Sequence, residues 1–450
     1  MGSSRRADDG HPPMTCHIRP AVPRPWKEPM NPAYATVDHT FTVPLDHRAP
    51  GGPTIEVFAR EVADPSRAGE RLPWLLYLQG GPGGKSPRPT AGSPGWLPHA
   101  LKTHRVLLLD QRGTGRSTPV TARSAARFAS PDRLAAHLSH FRADAIVADA
   151  ELIRRTLCGD APWETLGQSY GGFITLTYLS QAPAGLRACY VAGGLPGLTA
   201  TADDVYARTY PRVRDRVLGL YARYPEDAAR LRRIADLLAS DDIRLPNGDR
   251  LTPHRLRTLG LALGMGDGFE RVHWLLDEAF DAAGELSDTF LHQVMSLTGF
   301  TGDPLFAVLQ ESLYGQGEGP TGWAASRALA AFPEFAGDAD PLLLTGEMMY
   351  PWMFREIAGL RPFADAADLL AARSDWPPLY DPHRLAANRV PLAAIVHHDD
   401  MYVDAGLSLR TAREIGATRV WVTNEWEHDG LSASGGRVLA RLTDLAAGRA

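Results

Sequence analysis

Five short runs of mostly apolar residues constrain this chain more than any other feature in it. They are WLLYL (74–78), VLLLD (106–110), ACYVAGG (188–194), LAAIV (392–396) and RVWVT (419–423). Each is about one strand long and lacks the strict alternation of a strand with one wet face. Such strands must be covered on both sides, as in a parallel sheet held between helices. Helical patterns do separate them. FRADAIVADAELIRRTL (141–157) carries apolar residues at 146, 147, 150, 153 and 157, and DAGLSLRTAREIG (404–416) and SGGRVLARLTDLAAG (434–448) are similar. Strands alternating with helices predict an α/β fold with a mostly parallel central sheet. Ahead of them, FTVPLD (41–46) and TIEVFAREV (54–62) alternate apolar and polar, as a half-exposed antiparallel pair would.

The middle of the chain breaks the alternation. Nearly two hundred residues separate ACYVAGG from LAAIV, and a crossover needs only a dozen or so. The patterns there are helical: 203–224, 225–240, 268–284 and 288–299. The excess reads as a helical cap inserted at the sheet edge where loops gather. The expected division is a tail over 1–33, α/β domain over 34–197, helical cap over 198–385, and the rest of the α/β domain over 386–450.

Composition removes several functions. A net charge of −5 and a pI near 6.3 give no basic face for nucleic acid. No window holds the ~18 apolar residues of a membrane span. The N-terminus has two arginines but no apolar stretch behind them, so it does not read as a signal peptide. Cys16, Cys158 and Cys189 are odd in number and far apart, which suits a reducing compartment and a cytoplasmic protein.

The chemistry starts at 167-GQSYGG-172. With 43 glycines in 450 residues, a bare G-x-S-x-G is weak. Its setting strengthens it: Trp163–Leu166 suits a strand and GFITLTYLSQA (172–182) a helix. A serine on such a sharp strand-to-helix turn presents its hydroxyl as a nucleophile. Ser169 then needs a base, and the base needs a carboxylate, in the chain order Ser, acid, His. After LAAIV comes 397-HHDDMYVD-404, offering Asp399, Asp400 and Asp404. Only one histidine lies beyond residue 398, His428 in WEHDGL. An oxyanion hole should follow an early strand, and 79-QGGPGG-84 does. Backbone N–H groups of Gly80 or Gly81, with that of Tyr170, are the expected donors. In 110-DQRGTGRST-118, Asp110 and Arg112 are expected to brace the site through a buried salt bridge.

QGGPGG, DQRGTGRS, GQSYGG, DDM and EHDG, in that order, resemble the proline iminopeptidases of the α/β-hydrolase superfamily, in their larger actinobacterial-type form. The resemblance implies release of N-terminal proline from small peptides by a Ser-His-Asp triad through an acyl-enzyme. Aligning the methionine after the acid makes Asp400 the triad carboxylate. Gln79 stands where the family has histidine, HHDD replaces G-R-Y-D, and Glu427 replaces the glycine before His428. The family binds the substrate's free amine with cap glutamates, which suits charge-assisted hydrogen bonds in a partly dry pocket. Here 347-EMMYPWMF-354 makes Glu347 the first candidate and 309-LQESLYGQG-317 makes Glu311 the second. Tyr314, Tyr350, Trp352 and Phe354 are candidates to wall a pyrrolidine pocket. No cofactor or metal is expected: no H-E-x-x-H or second histidine pair completes a site around HHDD. GGPGG also lacks the continuation of a phosphate loop. An esterase, thioesterase or other acyl hydrolase with the same triad is the alternative.

Overall fold

The computed structural model describes residues 33–449, so all but the last residue of the expected tail, and Cys16 with it, lie outside the described residues. Eight strands form one sheet. They are β1 (Ala35–Pro44), β2 (Thr54–Ala63), β3 (Trp74–Leu78), β4 (Arg105–Leu109), β5 (Trp163–Gln168), β6 (Leu186–Ala192), β7 (Leu392–His397) and β8 (Thr418–Thr423). Their spatial order is β1-β2-β4-β3-β5-β6-β7-β8. β1–β2 and β2–β4 are antiparallel, and the other neighbours are parallel. This is the α/β-hydrolase fold.

The solid apolar runs are explained by the two faces of this sheet. Leu76, Leu78, Leu107 and Leu109 join one buried cluster, while Leu75, Tyr77, Val106 and Leu108 join another. Both sets of side chains are therefore removed from water, the main favourable term in such a core. RVWVT departs from this expectation. β8 pairs only with β7 and lies at the sheet edge, where Val422 is 43% exposed.

Between β6 and β7 the main sheet gains no strand. The chain runs instead through helices, including Ala202–Arg223, Glu226–Ser240, Gly268–Asp277 and Asp288–Thr298, plus one short strand pair. The third of these ends well before 284. Asp281 ends the run by accepting hydrogen bonds from the Ala283 and Glu285 N–H groups, and Gly284 follows at φ +81°.

All loops that carry candidate chemistry leave the same edge, the C-terminal ends of parallel strands, where open α/β sheets place their sites. QGGPGG follows β3, Ser169 follows β5, HHDD follows β7 and His428 follows β8. Ser169 sits at φ 54° and ψ −122°, a region that non-glycine residues rarely enter. The turn is possible because its neighbours have no side chains. A Cβ on Gly171 would fall inside the van der Waals radius of the Leu78 carbonyl oxygen, and one on Gly172 would strike that of Gly194. Both obstacles are backbone and neither can rotate away. Gly171→Ala is therefore expected to cost about 3 kcal/mol of stability, read as a lower urea midpoint in equilibrium unfolding.

Candidate active site

After the turn, helix α2 (Tyr170–Gln181) is buried from Tyr170 through Ser180, which fixes the elbow from behind. The Ser169 N–H donates to the Ala192 carbonyl at 2.9 Å, and the Gly172 N–H to the Ser169 carbonyl at 2.7 Å. Ser169 and His428 line one cavity of about 570 Å³. His428 Nδ1 donates to Asp400 Oδ2 at 2.7 Å, so the proton on that nitrogen is fixed and Nε2 is left to accept. The other carboxylate oxygen, Oδ1, accepts the N–H groups of Tyr402 and Val403 at 2.8 and 3.0 Å. Asp399 instead pairs with His398 on the surface, and Asp404 caps the helix that follows, Ala405–Glu414. Geometry thus separates three acids that the sequence alone leaves level.

Electrostatics fit the pairing. Burial acts to raise the Asp400 pKa, but the His428 charge and hydrogen bond, with His397 close by, hold it well below the usual carboxylate range. Burial acts to lower His428, while Asp400, and Glu347 behind it, push it up and prevail.

QGGPGG is built against the elbow. A Cβ on Gly80 would lie 2.9 Å from the Ser169 Cβ, so only glycine lets the loop approach this closely. Gly80 and Gly81 both line the cavity. Gln79, the departure from histidine, accepts the Tyr77 hydroxyl on its side chain at 2.9 Å and the Gln111 amide on its carbonyl at 2.8 Å. The DQRG turn braces as expected, though by two separate pairings. Arg112 holds Asp149 bidentately at 2.7 and 2.6 Å, and Asp110 is gripped by Arg88.

Glu347 lines the same cavity as Ser169 and His428. Burial raises its pKa to about 7, and the Asp400 charge adds to this while His428 and Gln310 oppose it. Glu311 lies outside that lining. It is 4% exposed, and neither carboxylate oxygen completes a hydrogen bond. Burial raises its pKa too, tempered by the nearby Thr321 hydroxyl. Tyr206 feels the charge of both glutamates, which places them in one region. Of the four candidate aromatics none lines this cavity. Tyr314 is half-buried against Phe173 and Tyr206 and senses Glu347 and Asp400. Tyr350 shares a 2.9 Å hydrogen bond with Tyr210, Trp352 packs on His254, and Phe354 on Trp323. These three serve the core of the helical segment, because their neighbours in space come from distant helices that periodicity does not reveal.

The family described as "alpha/beta hydrolase fold" matches residues 73–311. A proline iminopeptidase of Aeromonas sobria is 47% identical over 409 residues, covering 90% of this chain and 95% of its own. The chain belongs to the proline iminopeptidase family. A second family member, from Aspergillus aculeatus, is 34% identical over 91% of this chain and 93% of its own. Among solved structures, a thermophilic esterase from Thermogutta terrifontis aligns at a TM-score of 0.41 and 14% identity, over 91% of this chain and 99% of its own. No helix among the described residues is long and apolar enough to cross a membrane.

Several residues around the site carry no signal in the sequence. Gln168 donates to the His428 carbonyl at 2.9 Å. The His428 N–H reaches the Gly264 carbonyl in the helical segment at 3.1 Å. Glu427 pairs with Arg216 of that segment at 2.8 Å, and Arg216 also holds the Leu263 carbonyl. His397 is buried with its Nδ1 3.7 Å from Asp400 Oδ2, and neither ring nitrogen completes a hydrogen bond. No motif announces these groups, since each acts across a long separation in sequence.

The shared field of Glu347 and His428 gives a pH prediction. The Glu347 anion helps hold the His428 proton on, so Glu347→Gln removes a term that raises the His428 pKa. The acid limb of kcat/KM, read with an ester that carries no amine, is expected to move to lower pH in that variant. An unmoved limb would show that the two groups do not sense each other.

Proposed function

We propose that the chain is a prolyl aminopeptidase that releases N-terminal proline from small peptides through an acyl-enzyme. Ser169 is the nucleophile, His428 the base and Asp400 the group that fixes the imidazole. The observation that carries this reading is Glu347. A carboxylate buried in the cavity of the nucleophile needs a cation to offset its desolvation, and a free N-terminal amine is that cation. The family relationship supports the same substrate.

In this mechanism the helical segment over 198–385 acts as the cap, and the amine is held by Glu347, with Glu311 behind it. His428 Nε2 takes the Ser169 proton as the hydroxyl attacks the first carbonyl. The N–H of Tyr170, with that of Gly80 or Gly81, stabilises the oxyanion. His428 then protonates the leaving amine, and a water repeats the sequence to free proline. No step requires a metal or a cofactor.

The test compares proline arylamide with a short p-nitrophenyl ester. Glu347→Gln is expected to lower kcat/KM for the arylamide about 100-fold, the cost of stranding one partner of a buried charge pair. Ester hydrolysis should stay within about threefold. Glu311→Gln should act in the same direction with a smaller loss. Equal retention of both activities in both variants would point to a general acyl hydrolase instead.

A further inference from the structure

Arg142 immediately precedes helix α1 (Ala143–Cys158) and is 1% exposed. Its guanidinium has almost nothing to bind. Nη2 reaches the Pro377 carbonyl at 3.4 Å, while Nε and Nη1 have no hydrogen-bond partner. The acid nearest in sequence, Asp144, lies within electrostatic reach of Arg142 and 4.0 Å from Arg48, but makes no hydrogen bond to the Arg142 guanidinium. Deprotonation is no escape, because a guanidinium keeps its proton in proteins. A buried cation of this kind is costly unless something negative accompanies it.

Its surroundings make the imbalance larger. The guanidinium stacks on Trp376, 4.4 Å from the ring centroid, and the Arg373 guanidinium lies at 4.4 Å from the same ring. Arg373 has Asp375 as a partner at 2.7 Å, whereas Arg142 has none. Trp376 Nε1 and the Tyr380 hydroxyl are buried and also unpartnered. The Tyr380 and Tyr170 hydroxyls lie within electrostatic reach of Arg142. Helix α1, 16 residues long, begins here without a cap from the Arg142 side chain, although the Tyr170 hydroxyl meets the Ala143 N–H, and the positive end of its dipole adds to the field.

Every unpartnered atom in this group can donate a hydrogen bond. A water molecule could place its hydrogens on the Pro377 carbonyl or the Tyr380 oxygen, but it brings no negative charge to the guanidinium. An anion accepts from all of these donors and neutralises the charge at once. We propose that Arg142, Trp376 and Tyr380 form a buried site for one small monovalent anion, chloride-sized, beside the N-terminus of α1. One guanidinium without a hydrogen-bonded carboxylate calls for one negative charge. None of the three residues lines the cavity of Ser169, so the site is separate from the one that handles peptide. It touches catalysis only through Tyr170, which follows the nucleophile and whose side chain packs in the same region.

The test uses the full-length protein in sodium gluconate, with bromide or chloride restored at constant ionic strength. Gluconate is too large for a buried single-ion site. The midpoint of thermal unfolding is expected to rise saturably with halide, by about 2 °C. Arg142→Met, which keeps the length and removes the charge, should abolish the response. Trp376→Phe, which keeps the ring and removes the N–H, should weaken it several-fold in apparent affinity. Crystals grown in bromide should show an anomalous peak within hydrogen-bond reach of Arg142 Nε. Equal midpoints in gluconate and halide, or a halide response that survives in Arg142→Met, would overturn the proposal. If Arg142→Met does not fold, the peak decides: bromide at surface positions only, an adventitious ion, counts against the site.

Discussion

Ser169→Ala is expected to lower kcat for proline arylamide on the order of 10⁶-fold, to the residual rate left by binding and oxyanion stabilisation. The variant should fold normally. Ser169 already occupies a backbone conformation set by its glycine neighbours and by the bond from its N–H to Ala192, and alanine disturbs neither. KM should therefore change little. A single-turnover assay with an activated ester gives the sharper result: the parent should show a burst of released nitrophenol equal to the enzyme present, and the variant none. Retention of even 1% of the parent rate would mean that another group attacks the carbonyl.

Asp400→Asn is the second large effect, about 10⁴-fold in kcat, and the geometry says why. Two backbone N–H groups, those of Tyr402 and Val403, already point at one oxygen of this side chain. An amide must turn its carbonyl oxygen toward them, which leaves its NH₂ facing His428. The imidazole would then accept through Nδ1 and carry its proton on Nε2. A histidine in that tautomer has no lone pair to offer the Ser169 hydroxyl. The loss should fall on kcat, with the amine-binding contribution to KM intact. Imidazole ¹⁵N shifts of His428 should report the exchanged tautomer directly, and an unchanged tautomer with full activity would remove Asp400 from its role.

Much of this was legible in the sequence because it depends on local pattern. The strand runs read correctly since burial on both faces leaves no polar positions, and the edge strand β8 is the one whose pattern misleads. The order of elbow, acid and late histidine follows from where parallel strands put their C-terminal ends. What sequence left open is side-chain direction. Asp399 and Asp400 are adjacent, yet one faces solvent and the other His428, a difference of half a turn that no periodicity encodes. Tyr350, Trp352 and Phe354 read as a cavity wall because aromatics near a candidate glutamate suggest one. Their packing partners, Tyr210, His254 and Trp323, come from other parts of the segment. Glu427 looked like a simple departure from the family's glycine and proves to be half of an ion pair with Arg216.

That ion pair has a mechanical consequence. The loop carrying His428 is latched to the helical segment twice, through Glu427 to Arg216 and through the His428 N–H to the Gly264 carbonyl. An outward swing of the segment would release the loop and unseat the imidazole from its carboxylate. The position of His428 therefore rests on the helical segment as well as on the sheet. Met265, Arg271 and Phe306 line the same cavity as Ser169 and His428.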